Sequence, residues 1–510
     1  MDLSIYKEWS DERIEYELSK TPLPPLPDGV KLLRHQKIGF LAGVRNPKMI
    51  LRFKMGLGKS ITSLLILNYL IANKMIRRGL ILAPRPLNIG SWVNEAQKFS
   101  KAPVAYCSGS PEERQNFLMK SIRSKQGIVI SDYYTMNSVF SKKNTHPKIN
   151  KNGKKDKNKY IADIEKIKEF SIHFDAIVLD EIHKNKNQTT LRTHILTHLT
   201  ESIYYRYGLT GTLFDKSPVD IWSQFNIINR GKTLGSFWYY QKEFFVEKFC
   251  PFTLSKKKYV FNDKKMGALK DKINRVCLSY NTEECIDVPP ITHVDVPLPI
   301  THEHINYYDE IKDIIIQSKG NLKECEASFM KMRLLLSSLI PLKDEDLGGN
   351  TEYIRLSENP KLEWILEFLD NINLNDQVII FHDFIESGNW IAEELKRNKI
   401  TYSRIYGGTK DKESEKAKFL KGETQVMIGN NTSISEGFNL QNAAYSIFYE
   451  TPISSIIRAQ AEMRSGGRIG SVHHTIYDLY LSPSLEKSYI DLVKNGISLH
   501  QMLTSNLKEM

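Results

Sequence analysis

Residues 53–65 read FKMGLGKSITSLL, and the fold turns on whether this stretch is a phosphate-binding loop. Backbone N–H groups in a tight glycine turn that opens into a helix N-terminus form a ready anion site. Gly56 and Gly58, on either side of Leu57, permit the turn, and Lys59 can reach the β- and γ-phosphates. Ser60 offers a hydroxyl to Mg²⁺, and ITSLLILNYLIA at 61–72 supplies the buried helix that must follow. The usual pattern has a small residue where Phe53 stands, a departure that matters only if position 53 enters the turn. A lone GxGKS arises by chance often enough that its partners have to decide the case.

Those partners lie downstream. VLDEIH at 178–183 ends an apolar run in two adjacent carboxylates. Asp180 at a strand end is placed to hold Mg²⁺ through water, and Glu181 to orient and deprotonate an attacking water. GLTGTLFD at 208–215 follows another short strand, with Thr210 and Thr212 flanking Gly211. That hydroxyl pair either senses the phosphate state or caps a helix.

Working outward, GLILAP (79–84), GIVIS (127–131) and AIVLD (176–180) alternate with helical patterns between about residues 30 and 230. This is the rhythm of a parallel sheet. QVIIF (377–381), QVMIG (425–429) and YSIFYE (445–450) repeat it from about residue 360. The expected architecture is α/β, with two lobes of parallel sheet flanked by helices. The expected division is an N-terminal segment 1–28, a first lobe 29–230, a mostly helical insertion and linker 231–355, and a second lobe 356–510. Within the linker, VPPITHVDVPLP (288–299) reads as an extended, proline-containing connector.

Composition narrows the class. The net charge is +12 over 510 residues, which favours a polyanionic partner, nucleic acid before anionic membrane. The segment 141–159, SKKNTHPKINKNGKKDKNK, concentrates this charge: eight lysines against one acidic residue, Asp156. It reads as a solvated loop, or as one that follows a nucleic-acid backbone. The five cysteines are scattered without a CxxC pair, which argues against a disulfide framework and a zinc ribbon. His194 and His198 have metal-like helical spacing, but Ile195 stands where a metalloprotease needs glutamate. The longest apolar run, 61–72, is too short to cross a bilayer, and the charged N-terminus has no signal-peptide core. The protein is therefore expected to work inside a cell, away from membranes.

In this order, the loop, DEIH and LTGT resemble the Swi/Snf-type branch of superfamily 2 helicase-like motors. That branch typically carries DEMGLGKT where this chain has FKMGLGKS, so position 53 is not small in the relatives either, although Phe53 and Lys54 replace an acidic pair. LLRHQKIGF places Gln36 where the family has its adenine-sensing glutamine. LILAPRPLNIGSWVNEAQKF resembles the next strand with its W-x-x-E signature, and IVISDYYT a nucleic-acid-facing motif. DEIHKNKN resembles DEAHRIKN. QVIIFHDF, ITYSRIYGGT and IGNNTSISEGFNLQNA resemble the second lobe, and RAQAEMRSGGRIG its closing arginine motif. Arg464 follows Gln460 by four residues, as in the family, whereas Arg468 follows by eight, one more than the family spacing. Either arginine could be the finger.

The resemblance implies two RecA-like lobes with ATP and Mg²⁺ in the cleft between them. The first would supply Gln36, Gly56, Leu57, Gly58, Lys59, Ser60, Asp180 and Glu181, with Ser60 and Asp180 on the metal. The second would supply Gln460 and Arg464 or Arg468. His183, Thr210, Gly211, Thr212 and Gly437 would couple hydrolysis to motion. Arg85, Tyr133, Asn430, Thr432 and Ser433 would face nucleic acid, with a plain surface charge the alternative for Arg85 and core packing for Tyr133. Compact chains of this style resemble phage and viral helicases, including enzymes that migrate branched DNA. The leading expectation is thus a DNA-dependent ATPase that remodels forked or junction DNA, as a monomer or weak oligomer. A duplex translocase that displaces bound protein without unwinding is the alternative. RNA is not excluded as a track, and a P-loop ATPase independent of nucleic acid is the rival from another class.

Overall fold

The structure is a computed structural model of the 510-residue chain. It describes residues 2–84, 88–123, 127–145, 160–214, 218–249, 257–285, 291–317, 322–342, 352–435, 440, 442–465 and 474–496. Two compact units divide the chain: residues 1–247 with 259–285, and residues 248–258 with 286–510.

The first unit is built on seven strands: β1 (Lys48–Phe53), β2 (Arg78–Ala83), β3 (Val104–Tyr106), β4 (Gly127–Asp132), β5 (Ala176–Leu179), β6 (Tyr205–Leu209) and β7 (Cys277–Tyr280). Their spatial order is β7-β1-β6-β5-β2-β4-β3, every pairing parallel. A parallel sheet covered on both faces needs strands that are apolar throughout. β2, β4 and β5 are accordingly buried at every position. Four helices matter below: α1 (Asp11–Lys20), α2 (Arg34–Arg45), α3 (Lys59–Ala72) and α4 (Asn88–Phe99). The N-terminal segment lies against α2, where Asp11 pairs with Arg34 at 3.0 Å, Glu15 with Lys37 at 2.7 Å and Glu17 with Arg45.

The main sheet of the second unit has six strands among the described residues: β8 (Ile291–Pro299), β9 (Gln377–His382), β10 (Tyr402–Ile405), β11 (Val426–Asn430), β12 (Ala443–Phe448) and β13 (His474–Ser482). These run in the order β8-β13-β12-β9-β11-β10, again all parallel. The helices α5 (Leu322–Leu335) and α6 (Ser455–Ser465) carry residues used below. The two parallel, helix-flanked sheets match the α/β expectation.

The stretch 231–355 is distributed differently from its sequence reading. It gives one strand to each sheet, β7 beside β1 and β8 beside β13. The connector VPPITHVDVPLP contains the whole of β8, an edge strand most of whose side chains stay partly or fully exposed. Proline is tolerated on such an edge because its missing N–H faces away from the ladder. Of the lysine-rich segment, 141–145 is described and includes the short strand Ser141–Lys143, paired with Tyr160–Ala162; 146–159 lies outside the described residues.

Candidate nucleotide site

In open parallel sheets, ligands gather at the carboxyl ends of the strands. The motifs of the first unit follow β1, β6, β5 and β2, four strands adjacent in that order. Neighbouring positions in the sheet thus gather residues far apart in sequence.

Phe53 is the last residue of β1 and is fully buried. Its ring meets His35 and Tyr280 edge-on, with centroids 5.5 Å away in both cases. It points into the core behind the loop and does not enter the turn. The turn itself uses Gly56 at φ +82° and Gly58 at φ +77°, left-handed values that favour glycine. A Cβ at Gly58 would also fall 2.3 Å from Gln36 Nε2. Lys59 and Ser60 begin α3, and the Lys59 ammonium donates to the Phe53 carbonyl at 3.0 Å.

Gln36, expected as the adenine sensor, is hydrogen-bonded within the chain. Its Oε1 accepts the Leu33 N–H at 3.0 Å, while its Nε2 donates to the Leu57 carbonyl at 3.3 Å. Both ends of the amide are engaged within the chain, so Gln36 caps α2 and braces the loop. His35 adds a bond to the same carbonyl, 2.8 Å long. Burial lowers the pKa of the His35 ring, against the opposing pull of its bond to the Leu57 carbonyl.

Asp180 and Glu181 follow β5. Glu181 lies in the left-handed region at φ +47°, the kind of strained placement found at functional sites. The Asp180 Oδ2 accepts the Trp92 indole N–H at 2.9 Å, and its Oδ1 accepts the Glu181 N–H at 3.0 Å. Burial raises the Asp180 pKa, and the neighbouring Glu181 charge raises it further. Burial also acts upward on Glu181, but His183, Lys59 and Lys184 outweigh it and keep that carboxyl low. Glu181 Oε2 lies 3.2 Å from His183 Nδ1, which is 3.0 Å from Thr210 Oγ1. Thr210 donates in turn to the Thr212 carbonyl at 2.6 Å. The DEIH and LTGT segments are therefore wired together through one imidazole and one hydroxyl. Gly211 lies beside the loop, where an added Cβ would sit 3.8 Å from the Phe53 carbonyl.

The donor set suits Mg²⁺. Among the described residues no group of three His, Cys, Asp or Glu forms a ready metal cage. Mg²⁺ does not need one, since it binds through one or two protein oxygens together with waters and phosphates. Ser60 and Asp180 provide such oxygens. The raised Asp180 pKa marks a buried negative cluster that a dication would relieve.

The nucleic-acid residues are partly corrected. Tyr133 is buried and its hydroxyl donates to the Asp180 carbonyl at 2.7 Å. It braces the carboxylate turn and shows only a sliver of its ring, at the wall of a surface recess. Its neighbour Tyr134 is exposed and, with Pro84, Lys184 and Arg192, lines the same recess, of about 400 Å³. The two rings take different sides because the strand ends at Asp132 and a helix begins at Tyr133. Arg85 lies outside the described residues.

In the second unit, Asn430 ends β11 and donates to the Asp383 carbonyl at 2.8 Å, while its Oδ1 accepts the Thr432 N–H at 3.2 Å. Its side chain holds the turn together, leaving Thr432 exposed and Ser433 partly so. Asp383 is itself fixed by Arg333 of α5 at 2.6 Å and by Asn431 at 2.7 Å. Gln460 and Arg464 are partly exposed, four residues apart on α6. Gly437 and Arg468 fall outside the described residues. Arg458 went unnoticed in the sequence. It is buried on α6, donates to both oxygens of Asp478, and lies 3.5 Å from the Phe448 ring centroid.

A phosphate loop, an Asp-Glu pair and a threonine turn at the ends of adjacent parallel strands, with a second parallel-sheet unit after them, define an ATP-driven motor of the helicase class. Residues 30–344 match the SNF2-related domain and residues 360–470 the helicase conserved C-terminal domain. The chain belongs to the SNF2-related family of ATP-dependent helicases and translocases. It is 25% identical over 492 residues to the uncharacterized ATP-dependent helicase YqhH of Bacillus subtilis, covering 91% of this chain and 78% of that one. It is 26% identical over 220 residues to the mouse DNA excision repair protein ERCC-6-like, covering 42% of this chain but only 16% of that protein. Among solved structures, the Pyrococcus furiosus Hef helicase domain aligns with a TM-score of 0.50 at 14% identity, over 90% of this chain and 99% of that one. That likeness shows the fold.

Proposed function

We propose that the protein is a DNA-stimulated, Mg²⁺-dependent ATPase that translocates on duplex DNA and remodels forks or junctions. The observation that carries this reading is the Glu181–His183–Thr210 connection beside Lys59 and Ser60. A γ-phosphate held by Lys59 would lie next to a carboxylate whose position is tied to the LTGT turn. Glu181, kept ionised, would orient the attacking water; Ser60 and Asp180 would hold Mg²⁺, whose charge would offset that of the phosphates. The finger that stabilises the transferring phosphoryl group is Arg464 or Arg468. Loss of the γ-phosphate is felt at His183 and Thr210, and the resulting motion of the units shifts the bound backbone.

Contact with the track is mainly to phosphates, so it is salt-dependent and indifferent to sequence. Tyr134, Lys184 and Arg192 in the first unit, and Thr432 and Ser433 in the second, are the proposed contacts.

The test is ATP turnover with single-stranded, duplex, forked and four-way DNA, and with RNA. Stimulation by duplex, and more by branched DNA, is expected. Turnover indifferent to all nucleic acids would instead favour a small-molecule ATPase. Displacement of a triplex-forming strand without junction migration would assign the protein to translocation without unwinding. Lys59→Ala and Glu181→Gln should lower turnover at least a hundredfold while leaving DNA binding largely intact, because phosphate contacts elsewhere supply that affinity.

A further inference from the structure

The recess of the first unit and the carboxylate turn share one side chain, Tyr133. Its ring forms part of the wall that Pro84, Tyr134, Lys184 and Arg192 complete. Among the described residues that lining holds two cations and no carboxylate. The Arg192 guanidinium lies over the Tyr133 ring, 5.5 Å from its centroid, an attractive arrangement of cation and π face. The hydroxyl of the same ring is fixed in the interior, where it donates to the Asp180 carbonyl at 2.7 Å.

That carbonyl belongs to the peptide joining Asp180 to Glu181. The N–H of the same peptide donates to Asp180 Oδ1 at 3.0 Å, while Trp92 of α4 holds Oδ2 at 2.9 Å. Both polar groups of the peptide are therefore engaged. Glu181 leaves it at φ +47°, a conformation that persists in a residue other than glycine only when its surroundings enforce it. The direction of the Glu181 side chain thus depends on this peptide plane, and the plane on the Tyr133 hydroxyl. Lys184 is tied to the same turn by its backbone, whose N–H donates to the Glu181 carbonyl at 2.9 Å. Each cation of the recess is joined to Glu181, Lys184 through one main-chain bond and Arg192 through one aromatic ring.

Two cations beside the exposed Tyr134 ring suit a backbone phosphate with its sugar, since guanidinium and ammonium groups both bind phosphate oxygens. A phosphate seated there would restrain Arg192 and Lys184 together, and through them the ring and the turn. We propose that the recess holds one backbone phosphate of the DNA track and that Tyr133 is a positioning residue, transmitting that contact to the peptide that orients Glu181. This inference rests on the DNA-stimulated ATPase reading above. Hydrolysis is then fast only while the first unit grips its track.

The experiment uses the full chain and duplex DNA, and measures duplex affinity across a salt series together with ATP turnover with and without the duplex. Lys184→Gln/Arg192→Gln should lower the slope of log Kd against log salt by about one, as loss of a single phosphate contact does. Tyr133→Phe removes only the hydroxyl. It should cut the factor by which duplex stimulates turnover about tenfold, a typical coupling between sites, with affinity and salt slope kept. Arg192→Lys keeps the charge but loses the planar guanidinium, so it should cut the stimulation in the same direction by a smaller factor. An unchanged salt slope in the double variant would overturn the phosphate assignment. An unchanged stimulation factor in Tyr133→Phe would overturn the transmitting role. So would equal losses of turnover with and without DNA, since the hydroxyl would then support the turn regardless of the track. If Tyr133→Phe melts abnormally, Arg192→Lys decides by the same two criteria. If no DNA stimulates the unaltered chain, the DNA-stimulated reading itself falls, an outcome separate from the failure of Tyr133 alone.

Discussion

Phe53 shows how a single departure from a motif can be misread. Its ring is fully buried against His35 and Tyr280, while its backbone carbonyl, which any residue would supply, receives the Lys59 ammonium. The side chain is therefore a stability element and the main chain a functional one. Phe53→Ala should cost ~3–5 kcal/mol of stability in urea denaturation, the range for a buried phenylalanine that leaves a cavity. ATP affinity of the molecules still folded should change only a few-fold. A large loss of affinity at normal stability would show that the ring shapes the turn after all. At this scale the sequence was most informative where chemistry is carried by residue type: Lys59 and His183 both act on the Glu181 carboxylate, which directly follows Asp180. It was least informative for Tyr133 and Tyr134, where the side of the chain each ring takes depends on β4 ending and a helix starting at Tyr133.

At the scale of elements, apolar runs between helical patterns revealed the central strands because both faces of those strands are buried. The edge strand β8 gave no such signal, since threonine, histidine and aspartate alternate with its apolar residues. β7 was hidden for a different reason: it joins β1 in the sheet from more than two hundred positions away in sequence, and local pattern carries no information about such a return. The arginines of α6 pose the same problem within one helix. Arg458 and Arg464 are six residues apart in a basic, glutamine-containing motif, and only packing separates them. Arg458 is buried with Asp478 and Glu462, whereas Arg464 is partly exposed. Arg458→Met should therefore destabilise the protein by ~3 kcal/mol or more, because the buried Asp478 charge loses its bidentate partner. Lys494, 2.6 Å from Asp478, softens the loss. Chemical denaturation checks this, and Arg458→Met/Asp478→Leu should recover part of the stability. Normal stability with abolished ATP turnover would instead make Arg458 the finger.

For the whole molecule, the strongest shifts differ between the units, His382 down in the second and Glu95 up in the first. Acid should therefore affect the units in opposite directions, while His35 in the first unit and Glu486 in the second shift the other way and temper the contrast. In the second unit, burial lowers the His382 pKa to about 4, with Arg404 acting the same way. Between pH 6.5 and 4 the unfolded chain binds a proton that the folded unit refuses, so stability falls as pH falls through that window. At about 1.4 kcal/mol per pH unit, the step from pH 6.5 to 5 costs ~2 kcal/mol through this ring alone. His304 shifts in the same direction, chiefly by burial. In the first unit, burial raises Glu95 to about 7 and also raises Asp180. There the folded state holds protons that the unfolded chain has released, so stability rises as pH falls from 7 toward the ordinary carboxylate range. A chain of this kind need not unfold in one step, and a single melting temperature would blend the two responses. Hydrogen exchange read by mass spectrometry separates them, because peptides from β5 and β9 report on different units. After correction for intrinsic exchange rates, protection in β9 should drop between pH 7 and 5 while protection in β5 holds or increases. His382→Asn, which removes the titrating ring, should flatten the response of β9 alone. Mg·ATP should reverse the sign in β5, since a cation beside Asp180 and Glu95 favours their ionised forms and makes acid a competitor for the site. Parallel loss of protection in both units without nucleotide would mean that charge repulsion across the whole basic chain outweighs these buried groups.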